Sequence, residues 1–432
     1  MAEDIYQSWG RNIHCDRAAK DWNPDALSGS SANLLPFGNG RSYGDSCHND
    51  KGTLLDNRAH AKVLSFDKDT GEICCEAGIL LCDMLIYILP SGWFLPATPG
   101  TQFVTLGGAI ANDVHGKNHH RAGTFGCHVS EFELFRSDKG ALTCSPTQNA
   151  DLFKATIGGL GLTGNITTAT IQLMKITSVD IDQQAIKFNR LEDYFALAEE
   201  ADKNNEYSVA WIDSLASGRK LGRGHLLNGN HADNGNFEYI ASKPRISVPF
   251  TPPISLINGL SLKAFNQLYY HKQQKREALG RVAYGGYFYP LDGIGHWNRL
   301  YGPKGLFQHQ SVVPVRNAEI TVASLIKTTQ NAGHGSFLTV LKRFGDVASP
   351  GFMSFPREGF TLTLDFPNSG PKTLELLNQL DRITINAGGA INPYKDARMS
   401  SNAFKASFPK WQMLEDVRDP AIMSDFWRRV TQ

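Results

Sequence analysis

The sequence predicts an α+β protein of two lobes, and three observations carry the prediction. At 432 residues the chain is longer than one hydrophobic core usually organises, and 41% hydrophobic residues supply material for two. Short strand-like and helix-like runs alternate as far as about Ile176. Beyond it, longer strand-like runs separated by amphipathic helices predict an antiparallel sheet with helices over it. The expected division is 1–178 and 179–389, with the remaining residues as a tail.

Taken in order, Val63 to Phe66 and Ile73 to Cys75 flank K-D-T-G and predict a hairpin. Leu81, Met84, Leu85 and Ile88 fall at helical spacing, a stripe of core packing that Pro90 stops. In the second lobe, strands are expected at Ser208 to Ile212, Gly286 to Tyr289, Phe307 to Val313, Phe337 to Leu341 and Thr361 to Phe366. Helices are expected at Leu191 to Ala201, Ala318 to Gln330 and Thr373 to Asn386, the last ended by Gly388 and Gly389. Val248 to Tyr270 is apolar and broken by prolines, which deny it a regular helix, and the basic run H-K-Q-Q-K-R follows. Two readings of that strip stand: a cover over a lipid groove or a peripheral membrane contact, and an ordinary buried connection.

Composition excludes several classes. A net charge of +1 with 20% charged residues leaves no electrostatic footprint for nucleic acid or for strongly anionic membranes. The start M-A-E-D-I-Y-Q-S-W-G has neither a basic region nor an apolar run, and no stretch is long enough to span a bilayer, so a cytoplasmic location is expected. Seven cysteines without any C-x-x-C pair read as reduced thiols. His119, His120, Cys127 and His128 match no standard ligand spacing, and no metal is expected.

Two glycine-rich segments carry the chemistry. In the first, Pro36 to Ser46, Gly38, Gly40 and Gly44 are spaced as in an anion-binding turn, with Arg41, Ser42 and Tyr43 available as donors. In the second, Pro96 to His128, Gly100, Gly107 and Gly108 let backbone N–H groups approach a ligand such as a pyrophosphate. His115 and Lys117 then follow a short apolar run, suited to charge stabilisation or proton transfer in a cleft. The alternative is a glycine-rich loop whose basic residues face solvent. A nicotinamide-dinucleotide fingerprint fails, because D-S-C-H-N-D-K-G-T after Gly44 is turn material rather than a helix.

Six segments together carry a resemblance: G-R-S-Y-G-D from Gly40, P-G-T-Q-F-V-T-L-G-G-A-I from Pro99, D-V-H-G-K-N-H-H from Asp113, G-G-L-G-L-T-G from Gly158, H-W-N-R-L-Y-G-P from His296 and Y-K-D-A-R from Tyr394. From about residue 30 onward the chain resembles the decaprenylphosphoryl-β-D-ribose 2′-oxidase family, flavoproteins of the vanillyl-alcohol-oxidase, PCMH type. The resemblance implies a PCMH-type FAD-binding lobe over 1–178, a substrate lobe over 179–389 and a tail, 390–432, returning to the FAD lobe. It places FAD against Pro36, Phe37, Gly38, Asn39, Gly40, Arg41, Ser42, Tyr43, Gly44, Asp45, Ser46, Gly100, Thr101, Thr105, Leu106, Gly107, Gly108, Asn112, Asp113, Val114, His115, Ile166 and Asn392. Lys395, His115, Lys117, Tyr43 and Gln310 are the expected catalytic residues, with Trp211, Tyr289 and Lys342 as weaker candidates.

Two departures from the wider pattern matter. Arg41 stands where related sugar oxidases place a histidine bonded to the flavin, so FAD is expected to be non-covalent. Thr363 stands where the family has a flavin-facing cysteine. The implied reaction is oxidation of the ribose 2′-hydroxyl of a polyprenyl-phosphoryl sugar to the keto sugar by hydride transfer, with a separate short-chain keto-reductase completing epimerisation to the arabinose donor. The alternatives are an oxidase of a soluble sugar, alditol or aldonolactone, and a flavin-binding partner subunit without turnover.

Overall fold

Strand periodicity and helix caps in this chain build three main sheets. The computed structural model describes residues 6–30, 33–240, 244 and 246–432; the first five residues, part of the N-terminal segment read above, lie outside the described residues. A parallel sheet of three short strands, Ala18–Asp21, Thr53–Asp56 and Leu34–Phe37, lies beside a five-stranded antiparallel sheet. The latter runs Val63–Phe66, Glu72–Glu76, Asn165–Gln172, Val129–Arg136, Gly140–Cys144 and begins with the expected hairpin. The helix Leu81–Ile88 buries its apolar stripe; Pro90 then sits in a 3-10 turn that ends at Gly92, φ 77°.

The second lobe is an eight-stranded sheet, antiparallel throughout. Its order is Glu277–Ala283, Asp180–Phe188, Gly224–His231, Tyr207–Ile212, Val340–Phe344, Gly359–Pro367, Leu306–Val313, Ala390–Ile391. Helices Leu191–Asn204, Ala318–Asn331 and Pro371–Asn386 cover one face. Ala210, Ile212, Leu341, Leu362 and Leu364 point into that apolar layer with Tyr194, Leu325 and Leu380. Because side chains alternate along a strand, their sequence neighbours Val209, Trp211, Val340, Lys342 and Thr363 face the other way.

After Ala390–Ile391 the chain packs on the three-stranded sheet, where Met399, Phe404, Phe426 and Trp427 share a core with Leu34, Leu35 and Leu54. Asp425–Thr431, capped by Ser424, reaches back to the first lobe: Arg429 pairs with Asp45 at 2.8 Å.

Three local expectations are corrected. Gly286 to Tyr289 is not a strand; the helix Tyr284–Phe288 occupies that stretch, with Tyr284, Tyr287 and Phe288 buried in the first lobe's core. The strand expected at Phe337 to Leu341 starts three residues later, as Val340–Phe344. Within 248–270 the prolines all precede residue 254, and Gly259–Lys272 is a regular helix whose N-terminus is closed by a reciprocal Asn258–Ser261 capping box. One side of that helix is packed, with Leu262, Asn266 and Tyr270 buried; the other is bare, Leu260 being 81% and Leu268 74% exposed.

Candidate active site

Between the lobes lies a cavity of about 1300 Å³, large enough for a dinucleotide and a substrate together. One wall is made of first-lobe loops. The helix Leu106–Ala111 begins at Thr105, whose Oγ1 accepts the Gly108 N–H at 3.1 Å, and it ends at Asn112, whose Nδ2 donates to the Gly108 carbonyl at 2.8 Å. Asp113 then turns the chain at φ 43°, held by Ser349 and Ser354 hydroxyls and the Gly126 N–H, and this turn delivers His115 to the cavity. The other glycine loop lies against this helix. A Cβ on Gly38 would sit 2.4 Å from Thr105 Oγ1, so only glycine lets the two loops meet.

That wall fits FAD on its own geometry. The N–H groups of Asn39, Gly40, Arg41 and Ser42 donate to no acceptor among the described residues, and the buried Ser46 Oγ has no partner. Unpaired donors gathered beside a cavity are the donor set a pyrophosphate requires. Gly100 opens on free space, and Gly107, Gly108, Gly161, Gly164 and Ile166 continue the surface.

The opposite wall is the free face of the large sheet. Gln308 and Gln310 project from Leu306–Val313, Lys342 from the adjacent pair and Thr363 from the strand between them, in register with both Gln310 and Val340. Lys395 enters from the Y-K-D-A-R turn, its Nζ 4.1 Å from the ring centroid of Tyr43, with no hydrogen-bond partner among the described residues. The Tyr43 N–H donates to the Tyr394 carbonyl at 3.0 Å, tying loop to turn.

Burial sets the protonation of this cleft. It pulls the Lys117 and Lys342 ammonium groups down to about 7, Lys342 being pushed further by Lys117 and Lys395. Lys395 falls to about 8 for the same reason, partly offset by Asp365, whose buried carboxyl rises to about 7. His115 is held well below the ordinary histidine range by burial and by Lys342. Tyr43 is driven up by burial, so its phenol stays neutral. Lys117 donates to the Tyr287 carbonyl with its Nζ 4.3 Å from that ring's centroid.

The cavity gathers most of the residues singled out from the sequence. Pro36 to Tyr43, Ser46, Gly100, Thr101, Thr105, Gly107, Gly108, Asn112, Val114, His115, Lys117, Ile166, Gln310 and Lys395 line it, as do Trp211, Lys342 and Thr363. Six do not. Gly44 packs against the Asp396 carbonyl, Asp45 holds Arg429, Leu106 is core, Asp113 locks its turn, Asn392 donates to Gln310 Oε1 at 2.8 Å, and Tyr289 bonds Thr98 at 2.7 Å. His120 and His128 approach the carbonyls of Asn205 and Ala122, and no group of three or more metal-ligating side chains occurs among the described residues.

Sequence reading missed Trp9, Asp292, Gln308 and Asp365. Trp9 carries the Arg41 guanidinium 4.7 Å from its ring centroid, and the Asp292 carboxylate favours that guanidinium's charge against its burial. Gln308 donates to Asp365 at 2.5 Å behind Tyr43 and Lys395. The alternation of Gln308 and Gln310 on one strand was the available signal.

Comparison with known proteins agrees with this geometry. Residues 26–145 match the family model described as an FAD binding domain. The chain is 34% identical over 416 residues to decaprenylphosphoryl-β-D-ribose oxidase of Mycolicibacterium smegmatis, covering 92% of this chain and 89% of that one. It is 33% identical to an uncharacterised protein of Streptomyces coelicolor, over 77% of this chain and 92% of the relative. Likeness to mouse L-gulonolactone oxidase, 35% identical, spans only 26% of this chain and 25% of the other. The chain therefore belongs to the decaprenylphosphoryl-β-D-ribose oxidase family of FAD-dependent oxidoreductases, which act on CH–OH groups.

Proposed function

We propose that the protein oxidises the 2′-hydroxyl of a polyprenyl-phosphoryl-β-D-ribose to the 2′-keto sugar, with FAD bound non-covalently. The observation that carries this reading is an exposed apolar strip whose chain begins at the mouth of a polar, lysine-lined cleft. Pro249 and Phe250 line the cavity, and Phe250, Ile254, Leu256, Leu260 and Leu268, all exposed, follow in the chain before Lys272, Lys275 and Arg276. A soluble sugar has no use for such a strip, whereas a prenyl chain and an anionic bilayer surface both do. No helix among the described residues is long and apolar enough to cross a membrane, so the contact in this reading is peripheral.

FAD, when bound, supplies the electron acceptor for the alcohol's oxidation. Residues 1–178 would hold it and residues 179–389 the sugar, with 390–432 bringing Lys395 to the junction. The Lys395 ammonium lies free to stabilise charge on the reacting hydroxyl, and Gln310, Tyr43 and Lys117 orient the sugar around it. Arg41 occupies the attachment position with a group that forms no flavin bond. A separate short-chain keto-reductase would take the keto product onward.

The test is anaerobic mixing of the yellow protein with prenyl-phosphoryl ribose, free alditols and aldonolactones while the flavin absorbance is followed. Bleaching by the prenyl-phosphoryl sugar is expected. Bleaching by free alditols alone would assign a soluble-sugar oxidase, and no bleaching by any of them a partner subunit. Acid precipitation should release the FAD into the supernatant; flavin left on the chain would overturn non-covalent binding. Vesicles rich in anionic lipid should co-sediment the protein, and Leu260→Glu with Leu268→Glu should abolish that.

A further inference from the structure

The hydrogen-bond chain from Tyr394 to Lys342 has only one consistent direction. The Tyr394 N–H can only donate, and it meets Asn392 Oδ1 at 3.2 Å. Asn392 must therefore present Nδ2 to its other neighbour, Gln310 Oε1, at 2.8 Å. Gln310 in turn presents Nε2, which gives one hydrogen to Thr361 Oγ1 at 3.1 Å and faces His115 Nε2 at 3.1 Å. An amide N–H cannot accept, so His115 Nε2 carries the lone pair. In a neutral imidazole the proton is then on Nδ1, and Nδ1 lies 2.7 Å from Lys342 Nζ.

An ammonium has no lone pair with which to receive that proton. We propose that Lys342 is a neutral amine which accepts the Nδ1–H of His115, fixes that tautomer and thereby acts as the positioning residue for the ring. Its remaining hydrogens include one to the Gly116 carbonyl at 2.8 Å. Reversing every bond would let Lys342 donate as an ammonium, but it would bring an Asn392 N–H against the Tyr394 N–H in a buried site, which costs free energy that the observed direction avoids.

The surroundings favour the neutral amine. The titratable groups facing Lys342 are His115, Lys117, His119 and Lys395, bases that offer an ammonium no compensating negative charge. Burial, joined by the charges of Lys117 and Lys395, draws Lys342 to about 7, so it is largely unprotonated above that pH. His115 takes no second proton near neutrality, because burial, the largest influence on it, holds it below its ordinary range. The cleft then contains one lysine that serves as an acceptor, Lys342, beside one whose ammonium is free, Lys395. The inference concerns the protein's own protons and stands whatever the substrate proves to be.

Long-range ¹H–¹⁵N correlation spectra of the holoprotein labelled at histidine test it, with the His115 signals identified by their loss in His115→Asn. At pH 8.5 the Nδ1–H tautomer should dominate, giving way to Nε2–H as the pH falls through about 7, when Lys342 gains a proton and can only donate. Lys342→Arg, which cannot give up its charge, should force Nε2–H at every pH. Lys342→Met should release the ring into a mixture of tautomers with no pH dependence near 7. A wild-type Nε2–H signal at pH 8.5 would overturn the proposal without any variant, as would a Lys342→Arg protein that keeps Nδ1–H. Retained FAD absorbance in each variant reports that it has folded.

Discussion

The two walls of the cavity use different parts of the chain. The first-lobe wall offers backbone: unpaired N–H groups at Asn39 to Ser42, with glycines where loops touch. Several polar side chains there are spent on structure, Thr105 capping a helix, Asp45 holding Arg429 and Asp113 locking a turn. The sheet wall offers side chains: Gln308, Gln310, Lys342 and Thr363, faced by Lys395, both lysines with protonation moved by burial. In the first wall, the loops that would take the cofactor are therefore held by the contacts that fold the lobe. In the second, chemistry is separable from both.

The largest effect should come from the first wall. A Cβ on Gly44 would sit 1.6 Å from the Asp396 backbone carbonyl, and neither strand of chain can yield, because Tyr43 is bonded to Tyr394 and Asp45 to Arg429. Gly44→Ala should destabilise by roughly 3 kcal/mol or more and lose FAD along with the fold. Melting temperature and acid-released FAD measure both, and a variant that lost one without the other would break the comparison. Lys395→Ala should do the opposite: melting temperature and FAD retained, flavin reduction slowed by about 10²–10³-fold, the cost of one charge-assisted contact at a reacting centre. A Lys395→Ala protein reduced at the parental rate would remove that residue from the chemistry.

The same contrast explains what the sequence disclosed. Glycines at Gly38, Gly107 and Gly108 and the turn residues around them are visible because close backbone approach permits almost nothing else. On the sheet wall, Lys342 and Thr363 sit among apolar neighbours in ordinary strand alternation, and nothing local distinguishes a cavity-facing lysine from an exposed one. They were noticed through resemblance. The strands Asp180–Phe188, Gly224–His231 and Glu277–Ala283 were not anticipated, since polar residues interrupt their runs and only scattered apolar ones, Ile181, Phe188 and Leu226 among them, reach the cores. Gly286 to Tyr289 misled for a related reason: aromatic residues favour strands locally, but here they fill the core from a helix.

A pH series sharpens the contrast further. Burial lowers Lys117 from 10.5 to about 7, so between those values the unfolded chain binds the extra proton and stability must rise with pH. One such group contributes about 1.4 kcal/mol per pH unit inside that window, or about 2 kcal/mol between pH 7.5 and 9. Lys342 adds a rise of the same sign. Denaturant titrations of Lys117→Met should show a shallower alkaline rise than the parent by about that amount, while Asp365, lifted to about 7, makes stability fall as the pH climbs from about 4 to 7 in both proteins. An unchanged alkaline slope in Lys117→Met would mean that the ammonium is solvated, and the cleft's charge would need a different account.

Thr363 should give the smallest effect, and it tests whether charge rather than mere placement matters on the sheet wall. It occupies the strand position between Gln310 and Val340, lines the cavity, and its hydroxyl has no hydrogen-bond partner among the described residues. Thr363→Val keeps the branched shape and removes only that hydroxyl, so no buried group loses a partner and stability should move by less than about 1 kcal/mol. The lysines around it keep their protonation, because no ionisable group is added or taken away. Flavin reduction by substrate should therefore stay within about tenfold of the parent, equivalent to about 1.4 kcal/mol in the barrier. A loss matching that of Lys395→Ala would show that the hydroxyl itself touches the reacting sugar, and that position on this wall, rather than charge, sets the rate.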